Sequence, residues 1–179
     1  MILRPTALAG AFVVESEPRA DERGFFARTY GESEFRELGL EPCGRQWSVS
    51  YSKWRGTLRG LHFQADPHGE TKLVRCVSGA VWDVVVDLRR GSPTYGKWVG
   101  IELNRSNRLA LYIPRGFAHG FQTLADDTEL LYGISPDYVA EAARGIRWND
   151  PVVAIEWPLP PVALSPRDAA LPLLESVSA

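Results

Sequence analysis

The sequence is poor in cysteine, in net charge and in long apolar runs. Its two cysteines, Cys43 and Cys76, are too few for a disulfide framework and lack the spacing of a zinc site. We therefore expect both thiols to be reduced and the protein to be cytoplasmic. No apolar run approaches the roughly 20 residues of a membrane span, and residues 1–5 lack the pattern of a signal peptide. The formal net charge of −2 gives no general reason to expect binding to nucleic acid or to a membrane.

Helical patterns are also scarce, and short strand patterns account for most of the chain. Hydrophobic residues make up 45% of the 179 residues and charged residues 23%, as in an ordinary globular protein. We expect one domain over residues 1–179. From Gln46 to about Gly133, short apolar or alternating stretches follow one another with turns between them. This pattern predicts an all-β barrel or jelly roll.

Two segments depart from the strand pattern. Residues 33–39 carry the clearest helix signal, with Ser33 as the expected N-cap and Gly39 as the expected end. After Trp148 the chain is rich in proline, and we expect that segment to be irregular. Its tryptophan and leucine side chains need burial, so we expect it to wrap over the barrel rather than to be disordered.

Residues 56–64, with the sequence GTLRGLHFQ, place an arginine, one of only three histidines and an amide on one predicted strand. Successive side chains of a strand point to opposite faces, so Arg59 and His62 should point apart. They can share one site only if the strand bulges or starts late, and Gly60 permits a bulge. A lone histidine on a strand is usually a core residue with a hydrogen-bond acceptor nearby. Here the rest of the chain supplies further polar partners, which favours a functional site.

Ten stretches, spread over nearly the whole chain in a fixed order, carry a family resemblance. They are DERGFF (21–26), GTLRGLHFQ (56–64), KLVR (72–75), DVVVDLR (83–89), SPTYG (92–96), PRGFAHGF (114–121), LY (131–132), Tyr138, WNDP (148–151) and SPRD (165–168). Together they resemble the dTDP-4-dehydrorhamnose 3,5-epimerase family of nucleotide-sugar epimerases. Such a series in order is far more specific than any single motif.

The resemblance implies a cupin-like jelly-roll barrel or sandwich, a homodimer, and catalysis without a metal or redox cofactor. It also implies epimerisation at C3, C5 or both of a 4-keto-6-deoxyhexose carried on a nucleoside diphosphate. The hydrogens at these carbons lie next to the ketone, so removing one gives an enolate. A proton returned to the opposite face then inverts the centre. Such a site needs a base, an acid across the sugar ring and a cation or donor near the oxyanion.

The resemblance gives chemical roles to four residues. His62 is the expected base, Asp168 the carboxylate that orients it, and Tyr132 the acid on the opposite face. Lys72 is the expected cation beside the ketone oxygen or its enolate. The expected substrate contacts are Arg23, Phe26, Arg28, Gln46, Ser48, Arg59, His119, Tyr138 and Arg167.

Three positions depart from the family pattern at the end of the site that should hold the nucleotide. Arg28 stands where the family usually has a glutamate, and an arginine has no acceptor for a thymine N–H. Ala143 stands where a glutamate is common, and Ser48 replaces a common asparagine. These departures suggest the hypothesis that epimerisation is kept while the nucleotide or the sugar differs from dTDP-4-keto-6-deoxyglucose.

Three alternatives remain open from the sequence. The chain can be a single-centre epimerase at C3 or C5, since one base can serve one or two centres. It can be a metal-dependent cupin enzyme, in which His62, Glu70 and His119 would be the available ligands; the second histidine of the usual His-x-His pair is missing. It can also be a sugar-nucleotide binding protein without activity, against which stands the intact pair of base and acid.

Overall fold

Two antiparallel β-sheets packed face to face form most of the computed structural model, which describes residues 1–177. The strands of this part of the chain are β1 (Ile2–Pro5), β2 (Phe12–Glu15), β3 (Arg19–Asp21), β4 (Gly24–Phe26), β5 (Gln46–Ser52), β6 (Leu58–Gln64), β7 (Thr71–Ser78), β8 (Ala80–Asp87), β9 (Trp98–Asn104), β10 (Ala110–Ile113), β11 (Phe117–Thr123), β12 (Thr128–Ser135) and β13 (Ala143–Gly145). The two α-helices described are α1 (Glu32–Glu37) and α2 (Pro166–Ala169), and neither has the length and apolar character of a membrane-crossing helix.

Successive strands of the chain mostly alternate between the two main sheets. The six-stranded sheet has the spatial order β1, β2, β10, β7, β12, β5, and the five-stranded sheet has the order β13, β6, β11, β8, β9. Strands β3 and β4 form a separate hairpin. Between β6 and β12 the chain crosses repeatedly from one sheet to the other. Within residues 1–177 neither sheet closes on itself, so the predicted all-β, cupin-like fold is confirmed in its sandwich form.

Alternate residues of facing strands fill the space between the two sheets. Val74 of β7, Val85 of β8 and Leu130 of β12 are fully buried there. The strand period of two places Lys72 on the same face as Val74, and Tyr132 on the same face as Leu130. Two polar side chains therefore enter the space between the sheets beside the apolar core.

The outer face of each main sheet has its own cover. Phe35 of α1 packs with Leu73 and Tyr112 on the six-stranded sheet. Val153 and Leu174, from the C-terminal segment, pack on the five-stranded sheet. This packing confirms that the proline-rich segment is ordered and wraps over the sandwich, because its apolar side chains find a sheet face to cover.

Helix α1 lies where the sequence predicts it but begins differently. It runs from Glu32 to Glu37, and its N-cap is Gly31, without a side-chain hydrogen bond. The prediction that Ser33 caps the helix is therefore wrong, since Ser33 already lies inside the first turn. Gly39 does follow the end of the helix with φ of +75°, a left-handed conformation that a glycine adopts at little cost.

Two features of the N-terminal half were not evident from the pattern. Strand β3 consists of three exposed residues, so no apolar alternation marks it as a strand. In β5 the apolar residues Trp47, Val49 and Tyr51 are exposed, with Val49 at 64%. Apolar and polar residues alternate along β5, and its apolar face points outwards.

Candidate active site

A bulge in β6 brings Arg59 and His62 to the same side of the strand. His62 pairs with His119 of β11, and Arg59 pairs with Phe121, so two residues of β6 oppose one of β11 and the register shifts. Gly60 lies in the bulge with φ of +127°, and a Cβ atom there would lie only 2.6 Å from the Cα of Gly120. The glycine thus permits both the backbone conformation and the close approach of the two strands. The strand therefore has the bulge that Arg59 and His62 need in order to share one site.

Both side chains line a cavity of about 340 Å³ between the two sheets. Its walls come from β5, β7 and β12 of the six-stranded sheet and from β6, β11 and β13 of the five-stranded sheet. Of the expected site residues, it is lined by Ser48, Arg59, His62, Lys72, His119, Tyr132, Tyr138 and Arg167. The structure therefore gathers residues that lie up to 119 positions apart in the sequence, from Ser48 to Arg167.

His62 is held by a carboxylate from the C-terminal segment. Its Nε2 lies 2.7 Å from Oδ1 of Asp168, and the backbone N–H of Gly60 donates to Oδ2 of the same carboxylate at 3.2 Å. Asp168 lies in α2, whose N-cap Ser165 accepts a hydrogen bond from the Asp168 backbone. Burial alone would raise the pKa of Asp168, but the hydrogen bonds from His62 and Gly60 outweigh it and lower that pKa. The carboxylate is therefore ionised at neutral pH and fixes the orientation of the imidazole.

Lys72 extends from β7 into the cavity beside this pair. Its Nζ lies 2.9 Å from a carboxylate oxygen of Glu70 and 3.5 Å from the backbone oxygen of His62. Glu70 also lines the cavity. The sequence contained a signal for this ion pair, because Glu70 and Lys72 are two residues apart and so share one face of an extended chain.

Tyr132 and His119 stand together on the cavity wall. Their ring centroids are 5.9 Å apart in an edge-to-face arrangement. His119 is itself held by the fully buried Asp83, with Nε2 2.6 Å from Oδ1. Burial raises the pKa of the Tyr132 hydroxyl well above its usual value; Asp83 adds to this shift and Arg59 opposes it. Tyr132 is therefore protonated throughout the neutral range and can donate a proton.

Three more expected contacts lie around this centre. Arg59 donates to Oγ of Ser52 and to the backbone oxygen of Tyr51, which holds its guanidinium at the wall. Tyr138 and Arg167 are exposed residues of the cavity lining. At the rim of the cavity, the exposed ring of Tyr138 can stack on the base of a nucleotide, and the cation of Arg167 can pair with a phosphate.

Four expected contacts do not reach the cavity of their own chain. Gln46 donates instead to Asp137 at 3.3 Å. Arg23 pairs with Asp21 at 2.6 Å on the β3–β4 hairpin, and Phe26 of the same hairpin is 77% exposed. Arg28 lines a different cavity, beside Met1, Glu17, Pro18, Arg19, Phe26 and Glu34. Of the three departures from the family pattern, Ser48 and Ala143 line the central cavity and Arg28 does not.

The three side chains of the metal hypothesis each face a different partner. His62 faces Asp168, Glu70 faces Lys72, and His119 faces Asp83. Across residues 1–177, no group of three or more His, Cys, Asp or Glu side chains is arranged to hold a metal ion. The geometry instead pairs each of the two histidines with its own carboxylate.

Comparisons with known proteins agree with this geometry. The family model of dTDP-4-dehydrorhamnose 3,5-epimerase matches residues 5–176. The dTDP-4-dehydrorhamnose 3,5-epimerase of Salmonella typhimurium is 45% identical over 177 residues, 98% of this chain and 96% of that protein. The dTDP-4-dehydrorhamnose 3-epimerase of Streptomyces niveus is 44% identical over 169 residues, 94% of this chain and 81% of that protein.

A solved structure extends the likeness to the fold. The Legionella pneumophila dTDP-6-deoxy-D-glucose-3,5-epimerase, in complex with dTDP-4-keto-L-rhamnose, superposes with a TM-score of 0.92 at 39% identity. The match covers 99% of this chain and 94% of that one. With the sandwich, the cavity and the matched sequence taken together, the chain belongs to the dTDP-4-dehydrorhamnose 3,5-epimerase family.

Proposed function

We propose that this protein inverts C3 and C5 of a dTDP-linked 4-keto-6-deoxyhexose, converting dTDP-4-dehydro-6-deoxyglucose to dTDP-4-dehydrorhamnose. One observation carries the proposal: the carboxylate-held imidazole of His62, the ammonium of Lys72 and the phenol of Tyr132 line one cavity. The relatives support it, since their names give this reaction and one of their structures holds dTDP-4-keto-L-rhamnose.

Each side chain has a defined task in the proposed reaction. Neutral His62 removes the proton next to the ketone, and the electrons of the C–H bond form an enolate. Asp168 stabilises the imidazolium that results, and Lys72 stabilises the negative oxygen. Tyr132 then gives its proton to the carbon from the other face, and solvent restores the starting protonation states. Every step is a proton transfer between these groups, so the proposal requires no redox cofactor and no metal.

Proton NMR of dTDP-4-keto-6-deoxyglucose in deuterated water tests the proposal. The wild type should exchange both H3 and H5 for deuterium, and His62→Ala should abolish both exchanges. The matched control is His68→Ala, because His68 is the exposed histidine of the chain and lies outside the central cavity. Absence of exchange with the wild-type protein would refute the proposed function.

A single-centre epimerase is the second candidate. It is favoured by the 3-epimerase of Streptomyces niveus, which is about as similar to this chain as the double epimerase of Salmonella typhimurium. Exchange at one carbon only in the same experiment would select this candidate. The nucleotide can be tested separately: we expect calorimetry to give tighter binding of dTDP than of CDP or GDP. The reverse order would support the hypothesis, raised by Arg28, Ser48 and Ala143, that the nucleotide differs.

We also propose that the protein is a homodimer joined through the outer face of the six-stranded sheet. Beside the part covered by α1, this face carries the exposed apolar residues of β5. The same face of β7 carries Arg75, a guanidinium whose pKa is lowered by burial and whose Nη2 has no hydrogen-bond partner among the described residues. A second copy would cover the apolar residues and supply an acceptor to Arg75.

The β3–β4 hairpin extends this proposal. Its Arg23 and Phe26 are expected substrate contacts, yet they lie outside the cavity of their own chain. We propose that the hairpin serves the cavity of the partner subunit. Tyr51→Glu should then give a monomer by light scattering and also weaken nucleotide binding, because Tyr51 lies on the outer face of β5 and does not line the cavity. Tyr95→Glu, at another exposed tyrosine outside the six-stranded sheet, should change neither. A dimeric Tyr51→Glu protein with full binding would refute both parts.

The remaining features of the proposal concern organisation and location. Residues 1–179 are proposed to act as one domain, which is supported by a cavity whose walls come from the first and last thirds of the chain. A cytoplasmic location is supported by Cys43 and Cys76, which are both free and buried.

A further inference from the structure

Glu70 is a carboxylate inside the candidate active site to which the proposed chemistry gives no task. It lies just before β7, at the end of the loop by which the chain crosses from the five-stranded to the six-stranded sheet. Its side chain is only 10% exposed, and that of Lys72 only 9%. Both line the central cavity, so what remains exposed of the pair faces the place proposed for the sugar.

A short chain of contacts leads from Lys72 through Glu70 to the rim of the cavity. Lys72 Nζ lies 2.9 Å from Oε1 of Glu70, and Gln64 Nε2 lies 3.4 Å from Oε2. The backbone N–H of Val139 donates to Oε1 of Gln64 at 2.9 Å. This last bond fixes which end of the Gln64 amide faces Glu70. Val139 directly follows Tyr138, so these contacts connect the Lys72 ammonium to the segment proposed to hold the base of the nucleotide.

A lysine side chain is a flexible chain of four carbons, and its ammonium is a compact charge whose hydrogen bonds have no fixed direction. Removed from water and left without an acceptor, such a group withdraws towards solvent. The carboxylate of Glu70 supplies that acceptor at this position. It is itself held from a second direction by Gln64, so it acts as a fixed support rather than as a mobile counter-ion.

We propose that Glu70 is a positioning residue that holds the Lys72 ammonium at the cavity wall, where the oxyanion of the substrate develops. The inference rests on the proposed function for its consequence in catalysis, but the positioning itself can be measured without substrate. Glu70 need not touch the sugar. Its role is to supply an acceptor at a fixed place. A glutamine whose amide oxygen faces Lys72 should largely replace it, although its NH2 group then cannot accept from Gln64, the longer of the two contacts.

The lysine ammonium groups give a direct measurement of this positioning. The chain has three lysines, Lys53, Lys72 and Lys97, and the other two are exposed. A ¹H–¹⁵N spectrum of the ammonium groups should therefore show one signal protected from solvent exchange, absent in Lys72→Met. Glu70→Gln should keep this signal and Glu70→Ala should lose it. A protected Lys72 signal in Glu70→Ala would overturn the proposal.

A double-mutant cycle measures the consequence for turnover. Glu70→Ala should lower kcat for exchange by about 10- to 100-fold with little change in KM, as expected for a misplaced catalytic group. Glu70→Gln should stay within about threefold of the wild type by the same reasoning. In the Lys72→Met background, Glu70→Ala should cost nothing further, because the group it positions is gone.

The outcomes separate this inference from the proposed function. Equal costs of Glu70→Ala with and without Lys72 would mean that Glu70 acts by some other route, and would overturn the inference while leaving the function intact. A loss in Glu70→Gln as large as in Glu70→Ala would show that the negative charge, and not the acceptor, is required, which also contradicts positioning. Absence of exchange in the wild type would refute the function, and the ammonium spectrum would still decide the role of Glu70.

Discussion

Gly60 allows the sharpest prediction about how the fold builds the site. Gly60→Ala places a Cβ at 2.6 Å from Gly120 Cα and 3.0 Å from the His119 backbone oxygen, in a residue with φ of +127°. The left-handed conformation should cost a side chain about 1–3 kcal/mol. Forcing two backbones apart should cost roughly another 1–3 kcal/mol, as overpacking does in a core. We therefore expect Gly60→Ala to lower the free energy of unfolding by about 2–6 kcal/mol.

Gly24 provides a matched control for this substitution. It has φ of +133°, close to that of Gly60, but a Cβ there would meet nothing within 4 Å. Gly24→Ala should carry only the conformational cost of about 1–3 kcal/mol. Denaturant unfolding of both variants isolates the steric contribution as the difference between them. Equal losses of stability would refute the reasoning, because strand contact at the bulge would then contribute nothing.

The other predictions concern single carboxylates and the tyrosine of the site. Asp168→Asn removes the carboxylate charge, and with its amide oxygen accepting from Gly60 N–H it turns an N–H donor towards His62, which favours the wrong tautomer. It should lower kcat by about 10²- to 10⁴-fold, measured by exchange at C3; a loss below threefold would contradict the orienting role. Tyr132→Phe should stop reprotonation, and because burial raises the pKa of Tyr132, the wild-type rate should show no loss from its ionisation below about pH 10. Asp87 contributes to acid stability: burial would raise its pKa, but hydrogen bonds, those from Arg89 foremost, lower it. Its stabilisation is therefore present above pH 4, roughly the unfolded pKa, and is lost as the pH falls further, so Asp87→Asn should flatten the acid part of a stability-against-pH curve.

Strand periodicity made much of the sandwich predictable. The run of short strands expected from Gln46 to about Gly133 agrees with β5 to β12, which extend from Gln46 to Ser135. The same period places Lys72 with Val74 and Tyr132 with Leu130 on inward faces. These features depend on neighbours one or two positions away, so they can be derived without knowledge of the fold. The N-cap of α1 could not be derived in this way, because Ser33 and Gly31 are both acceptable caps by composition.

The hairpin and β5 show where the pattern gives no decision. Every residue of β3 is exposed, so nothing in its alternation distinguishes it from a turn. In β5 the alternation is clear, but it does not say which face looks inwards, since apolar residues can cover a core or an interface between subunits. For the same reason the sequence could not show that Arg23 and Phe26 lie outside the cavity of their own chain.

The sequence by itself determined the strand pattern, the order of the family motifs and the residue types available for the chemistry. Only the tertiary structure decided which of them meet. His62 and Asp168 are 106 positions apart, and their contact at 2.7 Å requires the C-terminal segment to fold back over β6. Arg59 and His62 share a cavity because the bulge at Gly60 shifts the register between β6 and β11. Local periodicity depends on the geometry of the backbone itself. These long-range contacts depend instead on how the two sheets, α1 and the C-terminal segment bury apolar surface together.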